Sequence, residues 1–117
     1  KKICVENLSY PWQWHQRVAD TLNLSWCIDI GHLRLNEPDH WKESFLAILP
    51  HARVIHWHGV CNGSDHCSLS DDDDVDEVYF VFGSLCKHSF DGVVTLEVFS
   101  EEDLWNSMKT IKKFCQE

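Results

Sequence analysis

Five short segments of this chain end an apolar run, or open the turn after one, on metal-binding side chains: Glu6, Asp29 with His32, His56 with His58, Asp65 with His66, and Glu97. Carboxylates and imidazoles together suit a hard or borderline divalent cation, with Zn or Mn the expected choice. His56 and His58 lie two apart in an extended run, so they share a face while Trp57 takes the other. Such a pair is either two ligands or a hydrogen-bonded histidine pair at a strand end. Asp29 and His32 flank Gly31, whose freedom lets the backbone swing the imidazole back. Asp29 is then either a ligand or an acceptor for backbone N–H groups of the next loop. For Asp65 and His66 the competing explanation is an Asx-type loop turn, which fits Asp65 better than His66.

Glu6 and Glu97 stand inside otherwise apolar strands, where an unpaired carboxylate is costly to bury. Arg53 begins its strand at the wrong end, and Arg17 and Arg34 fall on a helix and in a loop. One cation would serve both glutamates. Cys61 and Cys67 flank the Asp65-His66 pair, but their six-residue separation matches no common structural zinc spacing, so a Cys-rich zinc loop stays an alternative only. His15, His40, His51 and His88 fall on helices or at their ends and read as surface or capping residues.

The elements that must position these groups alternate. Ile3 to Val5 is a β-branched run ending in Glu6-Asn7, and Pro11 suits the start of a helix from Trp12 to Leu22, with Trp14, Val18 and Leu22 at helical spacing. Leu24 to Ile30 is a second strand, closed by Gly31-His32, and Pro38 opens a helix through Trp41, Phe45, Leu46 and Leu49. Arg53 to His58 is a third strand stopping at Gly59. A long polar loop then runs to the acidic tract Asp71 to Asp74, which reads as a solvated cap on a helix from about Val75 to Lys87. Gly92 to Phe99 is the fourth strand, and Ser100-Glu101-Glu102-Asp103 starts a last helix through Leu104, Met108, Ile111 and Phe114.

Four successive βα units predict an α/β fold with a parallel sheet, whose carboxyl ends bring the five segments to one mouth. No Gly-rich phosphate turn follows the first strand, which argues against a nucleotide-binding fold. At about thirty residues per βα unit, 117 residues supply half of a (β/α)8 barrel, read as one unit over residues 1–117. Half a barrel leaves open strand edges, so another segment or a second copy is expected to complete it.

Composition bounds the partners. Hydrophobic residues make up 44% of the chain, enough for a core, while ten Lys and Arg against nineteen Asp and Glu give a net charge of -9. That charge disfavours long nucleic acid. No apolar run approaches a membrane span. Six cysteines occur without a CxxC pair; disulfides would suit an even count, but the apolar content makes staples unnecessary and no signal peptide opens the chain, so reduced thiols in the cytoplasm are expected.

The motif order resembles the xylose-isomerase-like barrel superfamily, which contains endonuclease IV and sugar isomerases and epimerases. Val5-Glu6-Asn7, Cys27 to His32, Ile55 to Gly59 and Thr95 to Val98 look like the ends of that fold's fifth to eighth strands. Within the superfamily, residues 28–32, 56–59, 64–69 and 91–104 look most like cobamide-remodelling phosphodiesterases of the CbiR type. This resemblance implies cleavage of the phosphodiester in a cobamide's nucleotide loop, with Glu6, Asp29, His32, His56, Asp65 or His66, and Glu97 around divalent metals. Glu6 and Glu97 would be catalytic, and His58 and Asn7 would meet the substrate. Endonuclease IV carries Asp-x-His where this chain has adjacent Asp65-His66, which leaves the choice of ligand open. The enzymatic rival is a sugar isomerase or epimerase, in which Glu6, Asp29, His56 and Glu97 hold one ion and the two glutamates shuttle a proton next to a carbonyl. A third reading is a noncatalytic half-barrel lacking its N-terminal half.

Overall fold

The structure, a computed structural model, describes residues 3–117. Its main sheet has the strand order β1-β2-β3-β6, formed by Cys4–Glu6, Ser25–Asp29, Ala52–Trp57 and Val93–Leu96. Cys4 pairs with Ser25 and Glu6 with Cys27, while Asp29 pairs with His56, all in parallel register. Strands adjacent in the sheet are thus successive βα units. This is the half-barrel arrangement that the alternation of elements predicts.

The chain divides into two compact units. The first runs through Trp57 and takes in Asp91–Thr95; the second comprises His58–Phe90 and Leu96–Glu117. In the first, β2 is buried at all five positions, as befits a strand covered on both faces. Ile28, Ile55 and Phe45 have no exposed surface. Each such side chain contributes roughly 1.5–3 kcal/mol by leaving water. Helices α1 (Gln13–Leu22), α2 (Ile30–Asn36) and α3 (Trp41–Ile48) complete this unit.

Two expectations for it change. Gly31 does not form a turn: β2 passes directly into α2, and the Asp29 side chain caps that helix by accepting the His32 N–H at 2.8 Å. An Asp before the first helical turn satisfies an otherwise orphaned donor, and this outweighs glycine's preference for a turn. On α1, the periodic residues Trp14, Val18 and Leu22 are exposed at 69%, 50% and 62%, and Ala19 is the buried residue. Spacing identified the helix but not its buried face.

In the second unit, the segment expected as a polar loop contains an antiparallel hairpin, β4 (Gly59–Cys61) with β5 (Ser64–Cys67). Asn62 and Gly63 turn it with φ of 50° and 75°. Both residue types tolerate the left-handed conformation that such two-residue turns require. Gly59 has a separate reason: a Cβ there would lie 2.4 Å from the Ser68 carbonyl oxygen. Cys61 and Cys67 form a disulfide across the hairpin, correcting the expectation of six reduced thiols and ruling out a zinc loop built on those two sulfurs. Cys4, Cys27, Cys86 and Cys115 form no disulfide among the described residues.

The acidic tract does more than cap. Asp74 accepts the Asp76 N–H at the start of α4 (Val75–Lys87), while Asp72 accepts from Val60 and Asp73 from Asn62. The tract therefore ties the hairpin to the helix. Ser100 caps α5 (Glu101–Gln116) through the Asp103 N–H, as its sequence predicts. Phe114 of α5 packs on Tyr79 and Phe82 of α4 at ring distances of 4.3 and 5.4 Å. Among the described residues, no helix is long and apolar enough to cross a membrane.

Candidate functional site

In the first unit, parallel pairing sets three polar side chains at the strand ends. Glu6 ends β1, Asp29 ends β2 and His56 is the penultimate residue of β3. His56 Nδ1 and Glu6 Oε1 are hydrogen-bonded at 3.0 Å. Glu6, Asp29 and His56 each offer a ligand atom within 4.8 Å of the others. Two carboxylates and an imidazole are a donor set that Zn or Mn accepts. Cys27 meets the same criterion with Glu6 and His56. Sequence reasoning treated Cys27 only as a packed thiol, although its place two residues before Asp29 puts both on one side of β2.

Glu6 is not the deeply buried carboxylate expected from its apolar strand. Its side chain is 34% exposed and His56, rather than an arginine, stands beside it. Asp29 is the buried one, at 0% exposure. Asn7 fixes it from the backbone: the Asn7 amide donates to the Asp29 carbonyl at 2.9 Å, and the Asp29 N–H donates to Asn7 Oδ1 at 2.8 Å. One side chain thereby extends the β1–β2 ladder by a step. This gives Asn7, expected to meet substrate, a structural task.

His32 Nδ1 lies 3.4 Å from both the Asn7 carbonyl oxygen and Asp29 Oδ2. Both neighbours are acceptors, so a proton on Nδ1 would serve either of them. A carboxylate orienting a histidine in this way is the usual support for a metal- or substrate-binding imidazole.

In the second unit, the hairpin presents Asp65 and His66. Adjacent residues on a strand normally point to opposite faces. At His66 the backbone turns through φ of 58°, and Asp65 Oδ1 comes within 2.9 Å of His66 Nδ1. The His66 ring is sandwiched between His58 at 4.2 Å and Phe99 at 4.5 Å. His58 is wholly buried, and its Nδ1 accepts the His66 N–H at 2.8 Å. Glu97 Oε2 lies 3.5 Å from His66 Nε2. His58, His66 and Glu97 each offer a ligand atom within 4.8 Å of the others. Glu97 thus also has a histidine where an arginine or a cation was expected. Phe99, 80% exposed, was not singled out from sequence, because an aromatic after a strand carries no chemical signal of its own.

No family model matches this chain, and no curated protein matches it. A solved structure described as a D-tagatose 3-epimerase-like protein superposes with a TM-score of 0.74 at 23% sequence identity. The superposition covers 98% of this chain and 47% of that one, so the chain spans about half the length of the protein it resembles. At that identity the likeness speaks to the fold, and the fold is half of an α/β barrel.

Proposed function

We propose that the first unit carries a divalent-metal site for carbon-acid chemistry on a sugar-like substrate, the reaction class of isomerases and epimerases. The observation carrying this reading is the Glu6–Asp29–His56 cluster at the carboxyl ends of parallel strands. A cation bound there would supply Lewis-acid polarisation of a substrate oxygen. Glu6, partly exposed, is the carboxylate that takes the proton from the carbon beside the carbonyl. Asp29, held by Asn7 and by the α2 cap, serves as a fixed ligand, and His32 as a donor or acceptor for substrate. The likeness in fold to the D-tagatose 3-epimerase-like protein supports this reading. Because the chain spans half of that protein, the activity is proposed for a completed barrel, with the other half supplied by an N-terminal segment or a second copy.

A second reading is metal-dependent hydrolysis of a small phosphodiester, such as a cobamide's nucleotide loop. Its support is the donor group His58–His66–Glu97 with Asp65 within the second unit, whose imidazoles and carboxylates would hold a cation able to generate a hydroxide nucleophile. Metal stoichiometry separates the readings. Elemental analysis of protein reloaded with Mn or Zn is expected to give one ion per chain, with ketose epimerisation restored. Two ions and phosphodiester cleavage would establish the second reading instead. Replacing Glu6 with Gln is expected to lower turnover by about 10²–10⁴-fold. Unchanged metal content in a Glu6→Gln, His56→Ala double variant would refute the site.

A further inference from the structure

The hairpin of the second unit carries a device that neither proposed reading uses. Its disulfide joins residues six apart, Cys61 and Cys67, and so closes the loop that holds Asp65 and His66. Both cysteines are half-buried and the tip, Asn62 to Ser64, is exposed, which leaves the bond within reach of a reductant. His66 directly precedes Cys67 and takes a φ of 58°. A residue with a Cβ occupies that left-handed region only where its surroundings compel it.

The roots of the hairpin are tied to the rest of the unit without the disulfide. The Val60 N–H donates to Asp72 at 3.0 Å and the Asn62 N–H to Asp73 at 2.7 Å. Beyond Cys67, the Leu69 N–H donates to Ser107 Oγ at 3.0 Å, and Ser68 is buried. Between these anchors the disulfide spans the turn. It works together with the pairing of Cys61 and Ser64, the His66 N–H bond to His58 and the ring stack of His66 between His58 and Phe99. Closing a short loop contributes a free energy of the same order as the cost of one strained backbone residue. Opening the bond therefore shifts the balance at His66 while the anchored roots stay in place.

We propose that the Cys61–Cys67 disulfide is a redox latch on His66. Closed, it holds the imidazole between His58 and Phe99 with Nε2 toward Glu97. Opened by a dithiol, it lets His66 relax to negative φ and withdraws that nitrogen from the donor group. In the opening step one thiolate of the dithiol attacks a disulfide sulfur and displaces the other cysteine, and the second thiol then displaces the first. Two electrons and two protons pass to Cys61 and Cys67, and the dithiol leaves as a cyclic disulfide. The consequence for cation binding rests on reading His58, His66 and Glu97 with Asp65 as a cation site. The latch on the backbone does not.

The test separates the two. The chain carrying Glu6→Gln and His56→Ala, which removes the cluster of the first unit, is titrated with Mn²⁺ while oxidised, after reduction by dithiothreitol and its removal, and after reoxidation. Mn²⁺ is the probe because it favours oxygen and imidazole donors over thiolates. Cys61→Ser with Cys67→Ser in the same background supplies an open latch without thiols. Reduction and the serine pair are each expected to weaken Mn²⁺ binding about tenfold, within the limit set by closing a loop of this length, and reoxidation to restore it. Hydrogen exchange of the His66 amide should quicken while amides of α4 and α5 keep their protection. Equal Mn²⁺ affinity in the oxidised and reduced chains, or an unaltered His66 exchange rate, overturns the latch. Loss of protection across α4 and α5 overturns it too, because the disulfide is then a staple for the whole unit. Faster His66 exchange on reduction with no Mn²⁺ bound in either state leaves the latch standing and removes the cation reading.

Discussion

The two units place their candidate metal-binding side chains by different physical means. In the first, Glu6, Asp29 and His56 are positioned by register: parallel ladders align three strand ends, and the strand carrying Asp29 is buried along its whole length. In the second, Asp65 and His66 are positioned by local devices, namely a two-residue turn, a disulfide, a left-handed residue and one close backbone approach. Register is enforced by many contacts, so loss of one is shared among the rest. The hairpin loop closed between Cys61 and Cys67 depends on a few. The first arrangement suits a fixed ligand set, and the second leaves its residues sensitive to single changes.

The largest expected effect tests that sensitivity. Gly59→Ala would put a Cβ 2.4 Å from the Ser68 carbonyl oxygen, a backbone atom that cannot step aside as a flexible side chain can. Overpacking of this kind costs about 1–3 kcal/mol, and this variant should sit at the upper end. Hydrogen exchange should show the loss in amides of residues 59–67 while those of β2 keep their protection. Equal loss in both regions would break the distinction between the units.

The disulfide comes next. Joining Cys61 to Cys67 closes a short loop, and the chain-entropy relation gives about 2 kcal/mol for a loop of this length. Reduction by a dithiol, or Cys61→Ser with Cys67→Ser, should lower stability by that amount and loosen His66 in the same exchange experiment. Metal binding by Glu6 and His56 should change little. A smaller effect is expected for Asn7→Ala in the first unit: it deprives the Asp29 backbone of two partners and costs about 1–2 kcal/mol. Thermal denaturation with and without Mn would show whether that loss also weakens metal affinity, as the positioning role of Asn7 requires.

The difference between the units also governs how much could be read from sequence. Hydrophobic runs ending in polar residues identified β1, β2, β3 and β6; β2 is buried throughout, whereas Val93 and Val94 of β6 are exposed, so there the apolar run and not burial marked the strand. That Glu6, Asp29 and His56 come together followed from their strand ends. The hairpin was missed although Asn62-Gly63 is a turn signal, since the flanking runs are short and polar and lack the alternation that marks strands. The Cys61–Cys67 bond was missed because overall composition, which suggested reduced thiols, is silent about two sulfurs brought together by a local turn. The pairing of Glu6 with His56 and of Glu97 with His66 required contacts between residues 50 and 31 positions apart, which no local pattern encodes.

The smallest effect has the opposite sign, and for that reason discriminates best. Gly83 lies inside α4 at a non-positive φ, and a Cβ there would meet nothing within 4 Å. Glycine in a helix interior gives the unfolded chain more freedom than alanine does, without a compensating contact here. Gly83→Ala should therefore stabilise the second unit by roughly 0.5–1 kcal/mol. Gly59 and Gly83 belong to the same unit, so general fragility of that unit would make both substitutions harmful. A gain at residue 83 beside a loss at residue 59, measured by urea denaturation with an unchanged m-value, would confine the sensitivity to the hairpin. A loss at both would show that α4 is as constrained as the hairpin, and the contrast between register and local devices would fail.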